Sequence, residues 1–299
     1  DRGLASLRYF GGVNRGKPDS SSLILSTMLS AIAAYRHETK IIIDSDIRLR
    51  ACSGFGSGSG AGANTFVYPM RPMISMRAAS GLLDAVKAAG ADSDQLLQAL
   101  ELDPSAFSNA EGVISCSLFA RLLEEAARVT GDSCFGLHFG ERFNVKNIGP
   151  LTYAILNSPT FRPAEENVSR YLKVYTQAAK VSPVIEGDRA YLQYVLTGLE
   201  GIEVPRQENE YALAIRLNTI RMMVGSQWTP LEVQFAHPAP AEISEHLRVF
   251  GAPVLFGYAT NNIVVDREFL MRQVPSADPR LYGIMKRYLE QILEEMPAE

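Results

Sequence analysis

The chain has 299 residues, 46% apolar and 21% charged, which is enough to bury a substantial globular core. Its charge is uneven, because residues 77–299 contain 20 basic and 28 acidic residues and therefore carry a net charge of −8. An acidic body repels phosphate, so we do not expect this part to bind nucleic acid by itself. Three widely spaced cysteines, with no C-x-x-C pair, exclude a disulfide framework or a zinc site as the expected architecture and fit a reducing cytoplasm.

The first 75 residues do not have the composition of a compact fold. Alternating glycine and serine over Ser53–Gly62 is typical of a flexible linker. We therefore predict a disordered extension or linker over residues 1–75, native or appended, and one domain over residues 76–299. The apolar run Leu23–Ala34 is too short for a membrane span, although it leaves open a signal-peptide core.

Helical spacing of apolar residues dominates the next hundred residues. The clearest case is 116–130, where Leu118, Leu122 and Ala126 form one stripe and Gly131 is placed to end the helix. The same spacing predicts further helices over 80–89, 93–101, 134–142, 148–157 and, from Thr160, to about residue 180.

Beyond about residue 180, apolar residues recur at every second position instead of at helical spacing. Alternation predicts strands over 182–186 and 190–196, joined by a hairpin turn at Gly187 and Asp188. Further elements are helices over 206–226, 241–249 and 278–296, and strands over 231–235, 253–257 and 261–265. We therefore predict an α+β fold, a mostly helical single domain with a small antiparallel sheet.

Several segments resemble one known family. They are Phe135–Arg142, Gly149–Thr160, Trp228–Pro238, Phe250–Phe256 and Asn262–Leu270, and their order and spacing resemble the N-terminal "arabinose-binding"-like effector domain of AraC/XylS-type transcriptional regulators. The resemblance covers about residues 77–296. It implies a cytoplasmic domain that senses a small-molecule effector or mediates homodimerisation, followed by a DNA-binding half with two helix-turn-helix units.

Only two residues follow Pro297, so we expect the DNA-binding half to be absent from this chain. Residues 80–101 have the outline of a helix-turn-helix, but the second helix offers Asp92, Asp94 and Glu101 and no Lys or Arg to contact phosphates. The expected partners are a small-molecule effector and a second copy of the chain. DNA contact is expected only through the missing C-terminal domain, and no membrane contact is expected.

Seven polar side chains on otherwise apolar elements are candidates for ligand binding. A buried polar group needs a partner, and a small polar effector is one way to supply it. The alternative is pairing within the protein, with Trp228 as a packing anchor and His237 fixed to a backbone carbonyl. The candidates are Tyr153, Tyr171, Tyr175, Tyr194, Arg216, Trp228 and His237.

No motif for catalysis is present. The chain has no G-x-S-x-G elbow, and spacing alone assembles no acid, histidine and nucleophile set. We therefore predict no enzyme activity, no catalytic residues, no cofactor and no metal. The predicted function is the effector-binding or dimerisation domain of a transcriptional regulator. The alternative is a stand-alone protein-interaction module without DNA binding.

Overall fold

The computed structural model describes residues 71–199, 201 and 204–296. Of the extension predicted over residues 1–75, residues 1–70 lie outside the described residues. Within the described part the α-helices are α1 (Leu82–Ala88), α2 (Ser93–Ala99), α3 (Cys116–Thr130), α4 (Phe135–Arg142), α5 (Pro150–Leu156), α6 (Phe161–Tyr171), α7 (Arg206–Val224), α8 (Ser244–Phe250) and α9 (Pro279–Glu295). The predicted mostly helical α+β class is confirmed.

The strands of the described residues form a two-stranded and a five-stranded sheet. They are β1 (Met73–Ser75), β2 (Val113–Ser115), β3 (Ala179–Glu186), β4 (Arg189–Leu196), β5 (Glu232–Phe235), β6 (Val254–Phe256) and β7 (Asn261–Asp266). The large sheet has the order β3-β4-β7-β5-β6 and is antiparallel except for the parallel pair β5 and β6. The predicted hairpin joins β3 to β4, where Gly187 adopts a φ of 61°.

Helix α7 lies at the centre of the fold. Its buried side chains, among them Leu213, Leu217 and Ile220, point to several sides, as expected for a helix that is apolar nearly all round. It packs against α3, α4, α5, α8 and β7. The elements that surround α7 therefore share one core.

Helix α4 packs against α7 at unusually short range because two glycines face it. A Cβ atom at Gly136 would lie 2.0 Å from the carbonyl oxygen of Gln207, and one at Gly140 would lie 2.6 Å from that of Tyr211. Gln207 also ties the two helices together, since its Oε1 accepts a 2.7 Å hydrogen bond from the Gly136 amide. Asn218 donates to the Gly140 carbonyl, 3.1 Å away, at the other end of α4.

The prediction of one helix from Thr160 to about residue 180 is wrong, because α6 ends at Tyr171. The next residues make a short 3-10 turn and then join the small sheet, where the Ser75 amide donates to the Tyr175 carbonyl over 2.9 Å. Strand β1 begins at Met73 and buries Ile74. The fold thus includes three residues ahead of position 76, where the domain was predicted to start.

Helix α9 packs on α5 through its buried residues Met285 and Leu289. Asp278 caps its first turn by accepting from the amides of Arg280 and Leu281, 2.8 and 3.1 Å away. None of the helices in the described ranges has both the length and the apolar character that crossing a membrane requires.

Candidate functional site

A cavity of about 110 Å³ lies between α7, α5, α6 and the hairpin β3-β4. One stripe of α7, with the i, i+3, i+4 and i+7 spacing of a helix face, forms its longest wall. That stripe consists of Glu208, Tyr211, Ala212, Ile215, Arg216, Thr219, Ile220 and Met223. Helix α6 faces it with Phe161, Glu165 and Val168. Most of the wall is apolar, so the few polar atoms in it stand out.

Glu208 is the first of these polar groups and is only 5% exposed. Its Oε1 accepts a 2.7 Å hydrogen bond from the hydroxyl of Tyr194 on β4. Its other oxygen, Oε2, is buried and makes no hydrogen bond with any described residue. Burial raises the pKa of Glu208 from 4.5 to about 7, although the Tyr194 hydrogen bond acts in the opposite direction.

Two more tyrosines surround the Glu208 end of the cavity. The hydroxyl of Tyr211 donates to the Ala78 carbonyl over 2.7 Å. The Tyr175 hydroxyl is buried, which raises the pKa of the phenol, and it lies beside the Tyr211 hydroxyl without a well-formed hydrogen bond to any described residue. The cavity wall thus holds a second unsatisfied polar atom.

Arg216 and Glu165 form an ion pair in the same wall, with Arg216 Nη2 donating to Glu165 Oε2. Their side chains are 11% and 5% exposed. Burial raises the pKa of Glu165, and the Arg216 charge opposes that rise. Nε of Arg216 is buried and makes no hydrogen bond within the described part, so it is the third unsatisfied polar atom.

Residues 90–274 match the family described as the arabinose-binding domain of AraC transcription regulator, N-term. This match covers more than half of the chain. The chain belongs to this family. It is therefore an N-terminal effector domain of the AraC type, as the resemblance implied.

Two relatives of this AraC-type domain are also regulators. The ornithine utilization regulator of Pseudomonas aeruginosa is 26% identical over 228 residues, which are 76% of this chain and 67% of the relative. The HTH-type transcriptional regulator VirS of Mycobacterium tuberculosis is 26% identical over 211 residues, 70% of this chain and 62% of VirS. The chain thus spans about two thirds of the length of these relatives. Neither name is that of an enzyme.

A solved structure is also similar, that of the transcriptional regulator CdpR from Pseudomonas aeruginosa. It has a TM-score of 0.48 and 13% sequence identity, and the match covers 69% of this chain and 70% of CdpR.

Three of the seven predicted ligand-binding residues, Tyr175, Tyr194 and Arg216, line the cavity of this AraC-type domain. Tyr171 and Tyr153 are not among the lining residues. Tyr171 is buried and donates to Glu290 Oε1 on α9 over 2.5 Å. Tyr153 is half-buried on α5.

Trp228 and His237 also lie outside the cavity wall. Trp228 is half-buried and stacks on Phe269 with 5.0 Å between the ring centroids. His237 is 1% exposed, and its Nδ1 donates to the Pro238 carbonyl over 2.9 Å. Both contacts are the packing arrangements that were weighed as alternatives to ligand binding.

His237 borders a second buried cluster, formed with Cys134, His246, Arg206 and Glu210. Glu210 Oε1 accepts from Arg206 Nε at 2.7 Å and from His246 Nε2 at 2.8 Å, and His237 Nε2 lies 3.6 Å away. The ligand atoms of Cys134, Glu210 and His246 lie within 4.8 Å of one another, a spacing that a metal ion can bridge. The Arg206 charge already neutralises this carboxylate and opposes a second cation. We therefore interpret the cluster as the Arg206–Glu210 ion pair of α7, hydrogen-bonded to His246 of α8.

Sequence reasoning missed Glu208 and Glu165. Glu208 lies in the first turn of α7, where acidic residues normally face water and the helix dipole. The available signal was its spacing, because Glu208, Ala212, Ile215 and Thr219 continue one helical face into an apolar helix. Glu165 shares a face of α6 with Phe161 and Val168 in the same way.

Because Glu208 holds a proton in the fold that the unfolded chain releases, the free energy of unfolding falls as pH rises from 4.5 towards 7. Glutamine does not ionise, so Glu208→Gln removes this pH-dependent loss of stability. We therefore expect the variant to be more stable than the natural chain by roughly 2–3 kcal/mol above about pH 7, and by little below about pH 5. Urea unfolding at both ends of this window measures the difference. Glu166→Gln, an exposed position on α6, is the control and should show no such pH dependence. Equal stability changes for Glu208→Gln at both ends would contradict the burial of an ionisable Glu208.

Proposed function

We propose that the chain binds a small-molecule effector in the α7 cavity and that this binding controls transcription through a DNA-binding half outside the chain. One observation carries the proposal. Oε2 of Glu208 and Nε of Arg216 belong to residues of the cavity wall and make no hydrogen bond within the described part, and the Tyr175 hydroxyl in the same wall lies beside only the Tyr211 hydroxyl without a well-formed hydrogen bond. Unsatisfied buried polar atoms are costly, and a ligand that pairs with them recovers this cost.

Effector control requires two arrangements of the domain with different affinity for the ligand. Helix α7 is the element best placed to report occupancy, because an adjacent face of it holds α4 through the Gly136 and Gly140 contacts, and Tyr211 belongs to both the cavity wall and the Gly140 contact. A ligand that contacts the cavity face of α7 shifts the balance between two positions of this helix. The packed elements around α7 then move with it.

The remaining parts of the proposal follow from membership of a family of transcriptional regulators. The domain is non-enzymatic, acts in the cytoplasm and forms a homodimer, and DNA is contacted only by a C-terminal half. Support for the dimer comes from α9, where Ile284 stays 40% exposed beside the buried Met285 and Leu289. A stand-alone protein-interaction module is the weaker alternative, because it leaves the polar cavity without a role.

A thermal-shift screen of metabolites tests the cavity. At a ligand concentration about 100 times Kd, binding adds about 2.7 kcal/mol to the free energy of unfolding, a shift of roughly 5–10 °C for a domain of this size. Ala212→Leu fills the cavity from the α7 wall and is expected to abolish the shift. Ala88→Leu, at an exposed position on α1, is the matched control and should keep it. A compound that shifts both variants equally binds elsewhere and would contradict the proposal.

A further inference from the structure

We propose that the ligand of the α7 cavity is a small organic cation whose ammonium group binds the free oxygen of Glu208 while an apolar body fills the remaining space. This inference rests on the proposed function and names the ligand class for the same cavity. It depends on the charges of the wall, the direction of its hydrogen bonds and the cavity volume.

Among the described residues, the charges of the wall leave Glu208 without a cationic partner. Arg216 is the cationic residue of the lining, and it is paired with Glu165. Three of the groups that surround Glu208 are phenols whose pKa is raised by burial and which are therefore uncharged, Tyr175, Tyr194 and Tyr211. Above about pH 7, where Glu208 is ionised, an anionic ligand would therefore add a second uncompensated negative charge, whereas a cation makes the occupied cavity neutral.

The hydrogen bonds at Glu208 also favour a cationic ligand. The Tyr194 hydroxyl donates a hydrogen bond to Oε1 and so favours the carboxylate, which partly offsets the larger opposite effect of burial on the pKa of Glu208. Oε2 then has free lone pairs and accepts a hydrogen bond. An ammonium group supplies such donors, and the Tyr175 oxygen is a further acceptor in the wall. Nε of Arg216 is itself a donor, so this ligand class pairs with the acceptors of the wall and leaves that atom unpaired.

The volume limits the size of the ligand. A dry apolar cavity of 150 Å³ holds a benzene molecule. The cavity of about 110 Å³ thus accepts an aliphatic amine of about five heavy atoms without rearrangement. Most of the lining along α7 is apolar, with Ala212, Ile215 and Ile220 among its members, although Arg216 and Thr219 lie on the same face. The body of the ligand is therefore mainly apolar.

The test compares three probes of nearly equal size and shape, n-butylammonium, n-butanol and butyrate, at millimolar concentration and about pH 8, where the amine is charged and Glu208 is ionised. Thermal shift and isothermal titration measure binding to the chain. We expect n-butylammonium to bind at least tenfold more tightly than either of the other probes. Glu208→Gln should lose at least tenfold in affinity for the cation and nothing for butanol.

Glu166→Gln is the matched control, because it removes an exposed carboxylate from α6 and should leave all three affinities unchanged. The cooperative unfolding of Glu208→Gln, measured in urea, verifies that this variant is folded. Any one of four results would overturn the ligand class. They are tight binding of butyrate, equal binding of all three probes, no binding of the cation, and unchanged binding of the cation by Glu208→Gln. The effector proposal fails separately, if no metabolite produces a shift that Ala212→Leu abolishes.

Discussion

Gly136→Ala is expected to destabilise the domain by about 3–4 kcal/mol, because the added methyl group has no space between α4 and α7. Its carbon would lie 2.0 Å from the carbonyl oxygen and 2.7 Å from the carbonyl carbon of Gln207, both of which belong to the backbone of α7. Backbone atoms of a helix cannot move aside as a flexible side chain could. The helices must separate instead, which also breaks the hydrogen bond from the Gly136 amide to the Gln207 side chain.

Urea unfolding of Gly136→Ala against Gly283→Ala measures this effect. Gly283 lies within α9, and a Cβ there would meet only Arg287 Nη1, at 3.7 Å. Alanine favours a helix over glycine by about 1 kcal/mol, so Gly283→Ala is expected to stabilise the domain slightly. The same substitution thus has opposite signs at the two positions. Similar free energies of unfolding for the two variants would contradict the close approach of α4 to α7.

The bounds of an element could be predicted from the sequence where residues at its own ends determine where it begins and stops. Helix α3 was predicted with its observed bounds from its apolar stripe and from Gly131, which adopts a φ of 68°. At its other end Ser115 accepts from the Leu118 amide, a cap that the prediction did not use. The end of α6 was missed because Leu172 and Tyr175 continue its apolar spacing. Backbone hydrogen bonds to β1 and the nearby start of β3 decide the conformation there, and β1 is too short to show alternation.

Some residues of the candidate site could likewise be predicted from the sequence, and others could not. Tyr175, Tyr194 and Arg216 were found because each places a polar group on an apolar face, which needs no knowledge of the partner. The Glu210 cluster was not found, because Cys134, Glu210 and His246 come from separate elements with no fixed spacing between them. A sequence shows that a polar group is out of place, but tertiary packing decides what it faces.

The largest loss of stability from removing one charged group is expected for Glu210→Ala, at about 3–5 kcal/mol. Glu210 is 0% exposed and accepts hydrogen bonds from Arg206 and His246, which is also 0% exposed. Its removal leaves the buried His246 without the acceptor of its Nε2 and Arg206 without its charge partner. It also leaves an empty space in the contact between α7 and α8.

Glu208→Gln is the natural comparison, since the two glutamates lie two residues apart on α7 and are both buried. They differ in their partners, because Glu210 contacts an arginine and a histidine, whereas Glu208 has one tyrosine hydroxyl. Above about pH 7, loss of the Glu208 charge should therefore stabilise the domain, while removal of Glu210 should destabilise it. Urea unfolding of both variants in one buffer measures the two signs. Destabilisation by both would show that Glu208 also has a cationic partner, and stabilisation by both would show that the Arg206 and His246 contacts contribute nothing.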